Sequence, residues 1–351
     1  MMHRAFRWGW LAIVLLVLVG GLQDARAVNV CTAPHFETIP DGTRYGFPPT
    51  IEKKGLVYAR KRIPISRRDV RSRILKELNY LLMDRRSRVV LWLSRVDHLR
   101  SVTLPILHKY HLPSEFIYLA AIESSYNSRA LSSAGAFGYW QFIKSTACRG
   151  PANCEKYDWR MEMTRWKDER ADLVHSTHSA ARYLAWINRV MKVKLKGQPE
   201  REGLRNWLLA AASYNAGPAR VMERLNSFGA RSYWDVPLPI ETERYVPRWI
   251  ALGIISRNRE FYGVKIPKRK SVTYDTVRQI RLRKDLTIDA IARLLGTTPR
   301  EIWALNTKIR PEKGVFPAHS GKGKLTHRIN IPRGTRKKFL AQLKAHGYLK
   351  K

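Results

Sequence analysis

The sequence predicts a mainly α-helical protein that carries a small strand–helix–helix–strand module near its C-terminal end. Apolar residues recur at helical spacing over residues 67–110, and the stretch at 112–123 is apolar around most of its circumference, which is typical of a buried helix. Strand-type patterns appear only after residue 272. With 351 residues and 44% hydrophobic content, the chain can form one sizeable core and a smaller second module.

Residues 1–27 predict a secretory signal peptide. Two arginines precede an apolar run from Trp10 to Val19, and Ala25-Arg26-Ala27 supplies a small-x-small cleavage site. The run is short for a membrane span, so we expect cleavage and export rather than an uncleaved anchor. Lipid attachment at Cys31 is the alternative, although Val30 before it is bulkier than the small residue that such a site usually has.

Two segments are expected before the central domain. Residues 28–60 predict an extended lead-in, because they contain several glycines and prolines and few periodic apolar residues. Residues 61–110 predict a helical extension, in which Val70, Ile74 and Leu78 share one face. Arginines cover the exposed faces of these helices, which we expect to support the central domain.

The central domain is expected over residues 111–263. Its first helix begins near Ser114, whose hydroxyl is suited to capping the helix, and burial of that helix places Glu123 at the edge of the core. Later helices of this domain are expected at about 171–192, 204–213 and 244–259.

The C-terminal module follows a basic linker at 264–271. Over residues 272–333 the pattern changes to strand, helix, helix and strand. Gly296 ends the first predicted helix, and Thr298 begins the second just before a proline. Residues 334–351 form a basic tail with a short predicted helix.

The net charge is extreme, since 65 Lys and Arg face 28 Asp and Glu, a formal +37. Such a surface attracts polyanions, among which nucleic acid is the obvious candidate. Export would remove the protein from most nucleic acid, so we expect no nucleic-acid partner and favour an anionic cell-envelope surface. Solubility at the cell wall is the simpler reading of the charge.

Cysteine and histidine patterns do not predict a metal site or a cofactor. Cys148 and Cys154 flank a short loop and can form a local disulfide in an oxidising compartment, or remain as two free thiols. Their spacing is not that of a zinc site. His175 and His178 lie one turn apart near Asp172, but no third well-spaced ligand accompanies them, so we expect ordinary helix histidines.

One carboxylate has the setting of a catalytic acid. Glu123 lies where the buried helix runs into a turn rich in Ser, Asn and Gly, which is followed by the aromatic and amide-bearing segment Tyr139–Phe142. A lone acid between apolar and short polar residues can stay protonated near neutral pH. A protonated carboxyl is what cleavage of a glycosidic bond requires.

Four short motifs extend this observation. They are E-S-x-x-N from Glu123, S-x-x-G-A-x-G-x-W-Q-F from Ser132, Y-N-A-G from Tyr214 and E-T-x-x-Y-V-P from Glu241. In order, spacing and residue type they resemble the lytic transglycosylase family, lysozyme-like enzymes that cleave bacterial cell-wall murein. The resemblance covers roughly residues 60 to 260, so it implies a lysozyme-like (α+β) helical catalytic domain over 111–263.

The resemblance implies roles for individual residues. Glu123 matches the catalytic acid and base of the family, and six further residues match positions that line its sugar-binding groove. These six are Ser132, Gln141, Tyr214, Asn215, Glu241 and Tyr245. We expect Trp140 and Trp234 to lie in the groove as well, because they adjoin the motifs. One departure is Ile143, which replaces the methionine that the family commonly has beside the scissile sugar.

The implied reaction needs no metal and no organic cofactor. Glycan strands of peptidoglycan would be the substrate, and the product would carry 1,6-anhydromuramoyl ends. A hydrolytic muramidase would use the same Glu123 but admit water, and a catalytically inert glycan-binding envelope protein is a further alternative. The C-terminal module resembles a LysM module, which binds N-acetylglucosamine chains, although the leading G-D-T-L is replaced by Lys284–Thr287. A purely packing role for this module is its alternative.

Overall fold

The protein is described by a computed structural model over residues 45–148, 159–194, 207–318 and 326–350. The expected signal peptide, Cys31 and Cys154 lie outside the described residues, as does the side chain of Cys148, so the disulfide remains a prediction. Within those ranges the protein is mainly α-helical, as the sequence predicts. No helix in the described part of the chain has both the length and the apolar character needed to cross a bilayer.

Helices and strands are numbered here in chain order. The elements up to residue 148 are α1 (Pro49–Lys54), β1 (Leu56–Tyr58), β2 (Lys61–Ile63), α2 (Arg68–Asn79), α3 (Arg86–Lys109), α4 (Ile117–Ser124) and α5 (Lys144–Cys148). The rest of the central domain contains α6 (Leu173–Lys194), α7 (Trp207–Ala216), α8 (Pro218–Ser227) and α9 (Ile240–Arg257). The C-terminal part contains β3 (Tyr274–Ile280), β4 (Leu286–Thr287), α10 (Ile288–Leu295), α11 (Pro299–Leu305), β5 (Val315–Phe316), β6 (His327–Pro332) and α12 (Arg336–Ala345).

The described end of the lead-in is folded rather than extended, which differs from the prediction. It forms α1 and β1, and β1 pairs in an antiparallel hairpin with β2, which occupies the start of the segment predicted as the helical extension. The hairpin turns at Ala59 and Arg60, whose φ angles are +49° and +63°. Hairpin turns of this hand usually carry Gly or Asn, so no turn signal is visible in the sequence at this point. The hydroxyl of Tyr58 donates to the Trp249 carbonyl at 2.7 Å, which ties the hairpin to α9.

Gly253 on α9 makes this contact between hairpin and helix possible. A Cβ at position 253 would lie 2.4 Å from a ring carbon of Tyr58, closer than side-chain atoms can approach. The glycine therefore lets the buried Tyr58 ring lie directly against the helix backbone.

The predicted helical extension is two helices, α2 and α3, joined by a π-helical turn at Tyr80–Asp84. The buried face of α2 packs on α9. Glu77 on α2 is 1% exposed and accepts from Arg244 at 2.6 Å and from Arg248 at 2.7 Å. A buried carboxylate with two guanidinium partners fixes how the two helices align, because either helix alone would leave it unpaired.

Helix α9 begins at Ile240, four residues before the predicted start, and continues through Pro247. Proline at this position removes the amide that would bond the Glu243 carbonyl. That carbonyl instead accepts from the Tyr233 hydroxyl at 3.0 Å and from Arg73 at 3.2 Å. The helix is therefore uninterrupted, because tertiary donors replace the missing hydrogen bond.

Helix α4 lies at the centre of the larger core. Ile117, Leu119 and Ala120 are at most 1% exposed, as expected for a helix that is apolar around its circumference. The helix packs between α3 and α9. Each large apolar side chain that is fully buried contributes about 1.5–3 kcal/mol to the stability of the fold. The position of α4 is therefore strongly determined.

The C-terminal part has its own hydrophobic core, formed by α10 and α11 against the antiparallel pair of β3 and β6. Thr287 and Thr298 cap the two helices through their side-chain oxygens, and Gly296 ends α10 with a φ of +71°. The strand, helix, helix, strand order is the one predicted, with an additional two-residue ladder between β4 and β5. Phe339 and Leu343 of α12 are buried in the same core, so the tail helix is part of this unit.

A buried charge cluster attaches the C-terminal part to the central domain. Asp172 is 4% exposed and forms ion pairs with Arg328 and, at 3.8 Å, with Lys308. The Lys308 carbonyl also accepts from the Asp168 amide at 2.8 Å. Burial raises the pKa of Asp172, but the charges of Arg328 and Lys308 outweigh it and hold the pKa below its ordinary value of 3.8.

We expect Asp172→Asn to lower the free energy of unfolding at pH 7 by about 3–5 kcal/mol, because it leaves buried cations without their carboxylate. A depressed pKa contributes stability that is present above the unfolded value and is lost as the pH falls below about 4. The difference in the free energy of unfolding between Asp172→Asn and wild type should therefore become smaller below about pH 4. Urea unfolding followed by circular dichroism measures both effects.

A matched control is Glu52→Gln, which removes an exposed ion pair with Arg71. Exposed pairs contribute about 0–1 kcal/mol, so this variant should unfold close to wild type. Equal losses in the two variants would show that the buried cluster has no special role in stability.

Candidate active site

Glu123 lies on the last turn of α4, at the wall of a cavity of about 670 Å³. The helix ends because Ser125 adopts a left-handed conformation, with a φ of +57°. Two side chains of α3 hold this turn: Trp92 donates to the Ser125 hydroxyl at 2.7 Å and Arg95 donates to its carbonyl at 2.8 Å. The carboxylate is thus placed by a buried helix whose end is fixed from behind.

The surroundings of Glu123 keep its carboxyl protonated to unusually high pH. Burial raises its pKa to about 7, with a further upward contribution from the negative charge of Glu241. A hydrogen bond from the Tyr245 hydroxyl to Oε1 of Glu123 acts in the opposite direction, because it stabilises the ionised form. Near neutral pH the group can therefore both donate and accept a proton.

The opposite wall of the cavity is a loop over residues 130–142. Bridges pair Leu131 with Phe137 and Phe137 with Phe142, so the loop folds back on itself. Gly138 has a φ of +81°, and a Cβ there would lie 2.0 Å from the Arg170 carbonyl. The Arg170 side chain donates to the Phe142 carbonyl at 3.0 Å. Close packing against Arg170 therefore fixes the loop from outside the cavity.

All seven residues named from the motifs line this one cavity: Glu123, Ser132, Gln141, Tyr214, Asn215, Glu241 and Tyr245. They come from α4, the 130–142 loop, the end of α7 and the first turns of α9. Segments more than a hundred residues apart in sequence are thus brought together. The hydrogen bonds of several of these side chains, however, go to other protein groups and not into the cavity.

Gln141 and Asn215 line the cavity, but their amide groups are engaged in internal hydrogen bonds. The Gln141 amide nitrogen donates to the Ala130 and Gly138 carbonyls at 3.0 and 2.9 Å, so it closes the loop. Asn215 donates to Glu241 at 3.1 Å and accepts from the Thr242 hydroxyl at 2.7 Å. Asn215 therefore links the end of α7 to the start of α9.

The other wall residues keep more of their hydrogen-bonding capacity. The hydroxyl oxygen of Ser132 accepts from the Ala136 amide at 3.0 Å, which leaves its proton available to a ligand. The Tyr214 hydroxyl donates to the Trp140 carbonyl at 2.7 Å. Glu241 is exposed, and Tyr245 lies within α9, inside the segment that was predicted to be helical. Ile143, at the position where the family commonly has methionine, also lines the cavity.

The expectation that Trp140 and Trp234 lie in the groove is wrong. Trp140 is 0% exposed, and its indole donates to the Thr177 hydroxyl at 3.0 Å. Trp234 is 7% exposed and packs against Tyr233. Neither lines the cavity, because both rings are buried in the hydrophobic core.

Sequence reasoning missed Arg248, which also lines the cavity. It follows Tyr245 by three positions and Glu241 by seven, so helical spacing puts the three on one face of α9. This helical spacing is visible in the sequence. It did not lead to Arg248 because the helix was expected to start at residue 244, which left Glu241 outside it. The Arg248 guanidinium is held by Glu77, which places a positive charge at the rim.

The two histidines considered for a metal site have other partners. His178 Nδ1 lies 3.1 Å from the Tyr110 hydroxyl, and burial lowers the pKa of His178 to about 4. His175 Nδ1 lies 3.8 Å from both Glu169 and Asp172. In the described part of the chain, no group of three or more His, Cys, Asp or Glu side chains is arranged as metal ligands.

Comparison with known proteins bears on the same region. The family model "Transglycosylase SLT domain" matches residues 106–237. The chain is 30% identical over 209 residues to membrane-bound lytic murein transglycosylase D of Escherichia coli, covering 58% of this chain and 40% of that protein. It is also 26% identical over 121 residues to an Alteromonas protein named for tributyltin chloride resistance, covering 34% of this chain and 48% of that one. The chain thus spans less than half the length of either relative.

Solved structures of two lytic transglycosylases show weaker similarity. One is an inactive mutant of Slt from Pseudomonas aeruginosa, with a TM-score of 0.35 at 23% identity, covering 46% of this chain and 24% of that one. The other is the 70 kDa soluble enzyme Slt70 from Escherichia coli, with a TM-score of 0.33 at 21% identity and the same coverage. The family assignment therefore rests on the sequence matches and not on these superpositions. Residues 106–237 of this chain belong to the transglycosylase SLT domain family.

Proposed function

We propose that this protein is a murein lytic transglycosylase that cleaves the β-1,4 bond between N-acetylmuramic acid and N-acetylglucosamine. The observation that carries the proposal is the setting of Glu123, a partly buried carboxyl with a pKa of about 7 at the wall of a large cavity. A carboxyl of this kind holds a proton at neutral pH and can release it to a glycosidic oxygen.

In the proposed reaction, protonated Glu123 donates its proton to the bridging oxygen as the bond between that oxygen and the muramoyl C1 breaks. The ionised carboxylate then accepts the proton of the muramoyl 6-hydroxyl, whose oxygen bonds to C1. The product is a 1,6-anhydromuramoyl end, no water is consumed, and Glu123 returns to its protonated form. General acid and base assistance of this kind contributes about 10²–10⁴ in rate.

The neighbours of Glu123 set its position and its proton affinity in this scheme. Tyr245 orients the carboxylate and stabilises its ionised form, while the charge of Glu241 favours the protonated form. Asn215 fixes Glu241 by a hydrogen bond. Opposite them, Ser132 has a hydroxyl proton available for the substrate.

We further propose that the protein is exported to the periplasm or cell envelope, where glycan strands of peptidoglycan are its partner. Its charge of +37 would attract it to the anionic carboxylates of murein and to the envelope surface. The catalytic domain would cover residues 111–263. The module at 272–333 is proposed as a LysM-like glycan-binding unit that is attached to the catalytic domain through Asp172.

We expect Glu123→Gln to reduce murein cleavage by at least about a hundredfold, because the amide cannot donate the proton that the leaving oxygen needs. Release of soluble fragments from purified sacculi measures the rate. Glu260→Gln is the matched control, since Glu260 is exposed and does not line the cavity. Cleavage by Glu123→Gln at the wild-type rate would refute the assigned role.

The products separate the proposed reaction from hydrolysis. Mass spectrometry of the digested murein should show ends that are one water lighter than reducing ends. Reducing ends as the main product would identify a hydrolytic muramidase instead. Absence of any turnover by the wild-type protein, together with retained binding to sacculi, would indicate an inert glycan-binding protein.

The rate should fall as the pH rises through about 7, because Glu123 then loses its proton. Tyr245→Phe removes the hydrogen bond that lowers the pKa of Glu123, so the basic limb of the pH profile should move to higher pH. In the control Tyr214→Phe, the lost hydroxyl bonds the Trp140 carbonyl and not the carboxylate, so the limb should stay in place. Identical pH profiles for all three proteins would contradict the proposed interaction.

A further inference from the structure

A second cavity, of about 280 Å³, lies where α3 and the turn after α4 meet the linker and the C-terminal part of the chain. It shares no lining residue with the cavity of Glu123. Much of its wall is apolar or aromatic, with Leu99, Tyr126, Tyr139, Val272 and Tyr274 among the lining residues. A concave site with aromatic walls and a few charged groups is typical of places that bind small organic molecules.

Two arginines face this cavity from different segments. Arg95 comes from α3 and is partly buried, whereas Arg269 comes from the linker and is exposed. The linker is held in place because the Lys270 carbonyl lies 2.5 Å from His98 Nδ1 and the Val272 amide donates to the His98 carbonyl at 3.1 Å. Both guanidiniums line the same cavity, and burial together with the charge of Arg269 lowers the pKa of Arg95, as expected for two cations that repel.

The carboxylates near this pair are engaged elsewhere. Asp97, two positions after Arg95 on α3, forms two bonds to Arg259 at 2.7 and 3.0 Å. Asp172, which also lines the cavity, is paired with Arg328 and Lys308. Among the described residues, neither Arg95 nor Arg269 forms an ion pair with a carboxylate. An oxyanion between the two guanidiniums would relieve their repulsion and accept charge-assisted hydrogen bonds from both.

We propose that this cavity binds a small organic oxyanion, a carboxylate or a phosphate ester, between Arg95 and Arg269, with the apolar body of the ligand against the tyrosines. The site goes beyond the proposed reaction, since it lies outside the Glu123 cavity. The site also adjoins α4, the helix that carries Glu123, because Arg95 donates to the carbonyl of Ser125, two positions after Glu123. A ligand on Arg95 would therefore contact the residue that holds the end of α4.

Isothermal titration calorimetry on the whole protein, without murein, tests this site. The probes are benzoate, phenyl phosphate, inorganic phosphate and the neutral benzamide. We expect saturable binding of benzoate, phenyl phosphate or both, and no binding of benzamide at the same concentrations. Benzoate alone would assign a carboxylate ligand, and phenyl phosphate alone would assign a phosphate ester. Binding of inorganic phosphate as tight as that of phenyl phosphate would overturn the role of the aromatic wall.

Arg269→Gln should weaken binding by about tenfold or more, because one charge-assisted contact is lost. This arginine is exposed, so the variant should keep its fold, which circular dichroism checks. Lys268→Gln removes the same charge one residue away and outside the cavity, so its affinity should match wild type. Equal weakening in both variants would show diffuse attraction to a basic surface and would overturn the proposal, as would binding of benzamide or the absence of any saturable binding.

Because these titrations use no murein, their failure leaves the proposed reaction untouched. An inactive enzyme that still binds the oxyanion would, conversely, leave this site intact. The two proposals can therefore fail separately.

Discussion

The central constraint on this protein is that one carboxyl, Glu123, must lie at the boundary between a hydrophobic core and an open cavity. Deeper burial would keep it neutral, and full exposure would leave it ionised at neutral pH. Burial shifts its pKa upward, while a single hydrogen bond from Tyr245 limits that shift. The proton affinity therefore depends on the relative placement of α4 and α9, and most of the described core serves to fix that placement.

Contacts along helix α9 fix its position relative to α4. Its first turns supply Glu241 and Tyr245 to the cavity, and its middle accepts the Tyr58 hydroxyl from the hairpin. Arg244 and Arg248 bind the buried Glu77 of α2, so the helix is held at several points along its length. Rigid support of this kind is what the proposed role of Glu123 requires, because small displacements of reacting groups are costly in rate.

Sequence reasoning identified seven residues of the cavity wall because they lie in short motifs whose spacing is visible without the fold. It also placed the buried helix that carries Glu123, since a segment that is apolar around its whole circumference has to be covered by core on every side. It could not show that the amides of Gln141 and Asn215 already have internal partners, because those partners come from distant parts of the chain. It also could not show that α9 starts before residue 244. Pro247 leaves the Glu243 carbonyl without a bond within the helix, and the Tyr233 hydroxyl that donates to this carbonyl is a tertiary contact.

The folded hairpin near the N-terminus sets a limit on proteolytic maturation. Tyr45 exchanges two backbone hydrogen bonds with the side chain of Asn79, at 2.8 and 2.9 Å, and the ring of Tyr58 fills the space left by Gly253. A peptidase that trimmed the chain past these residues would open the core beside α9 and disturb the helix that carries Tyr245. Residues from Tyr45 onward therefore have to survive any proteolytic processing that leaves this core intact.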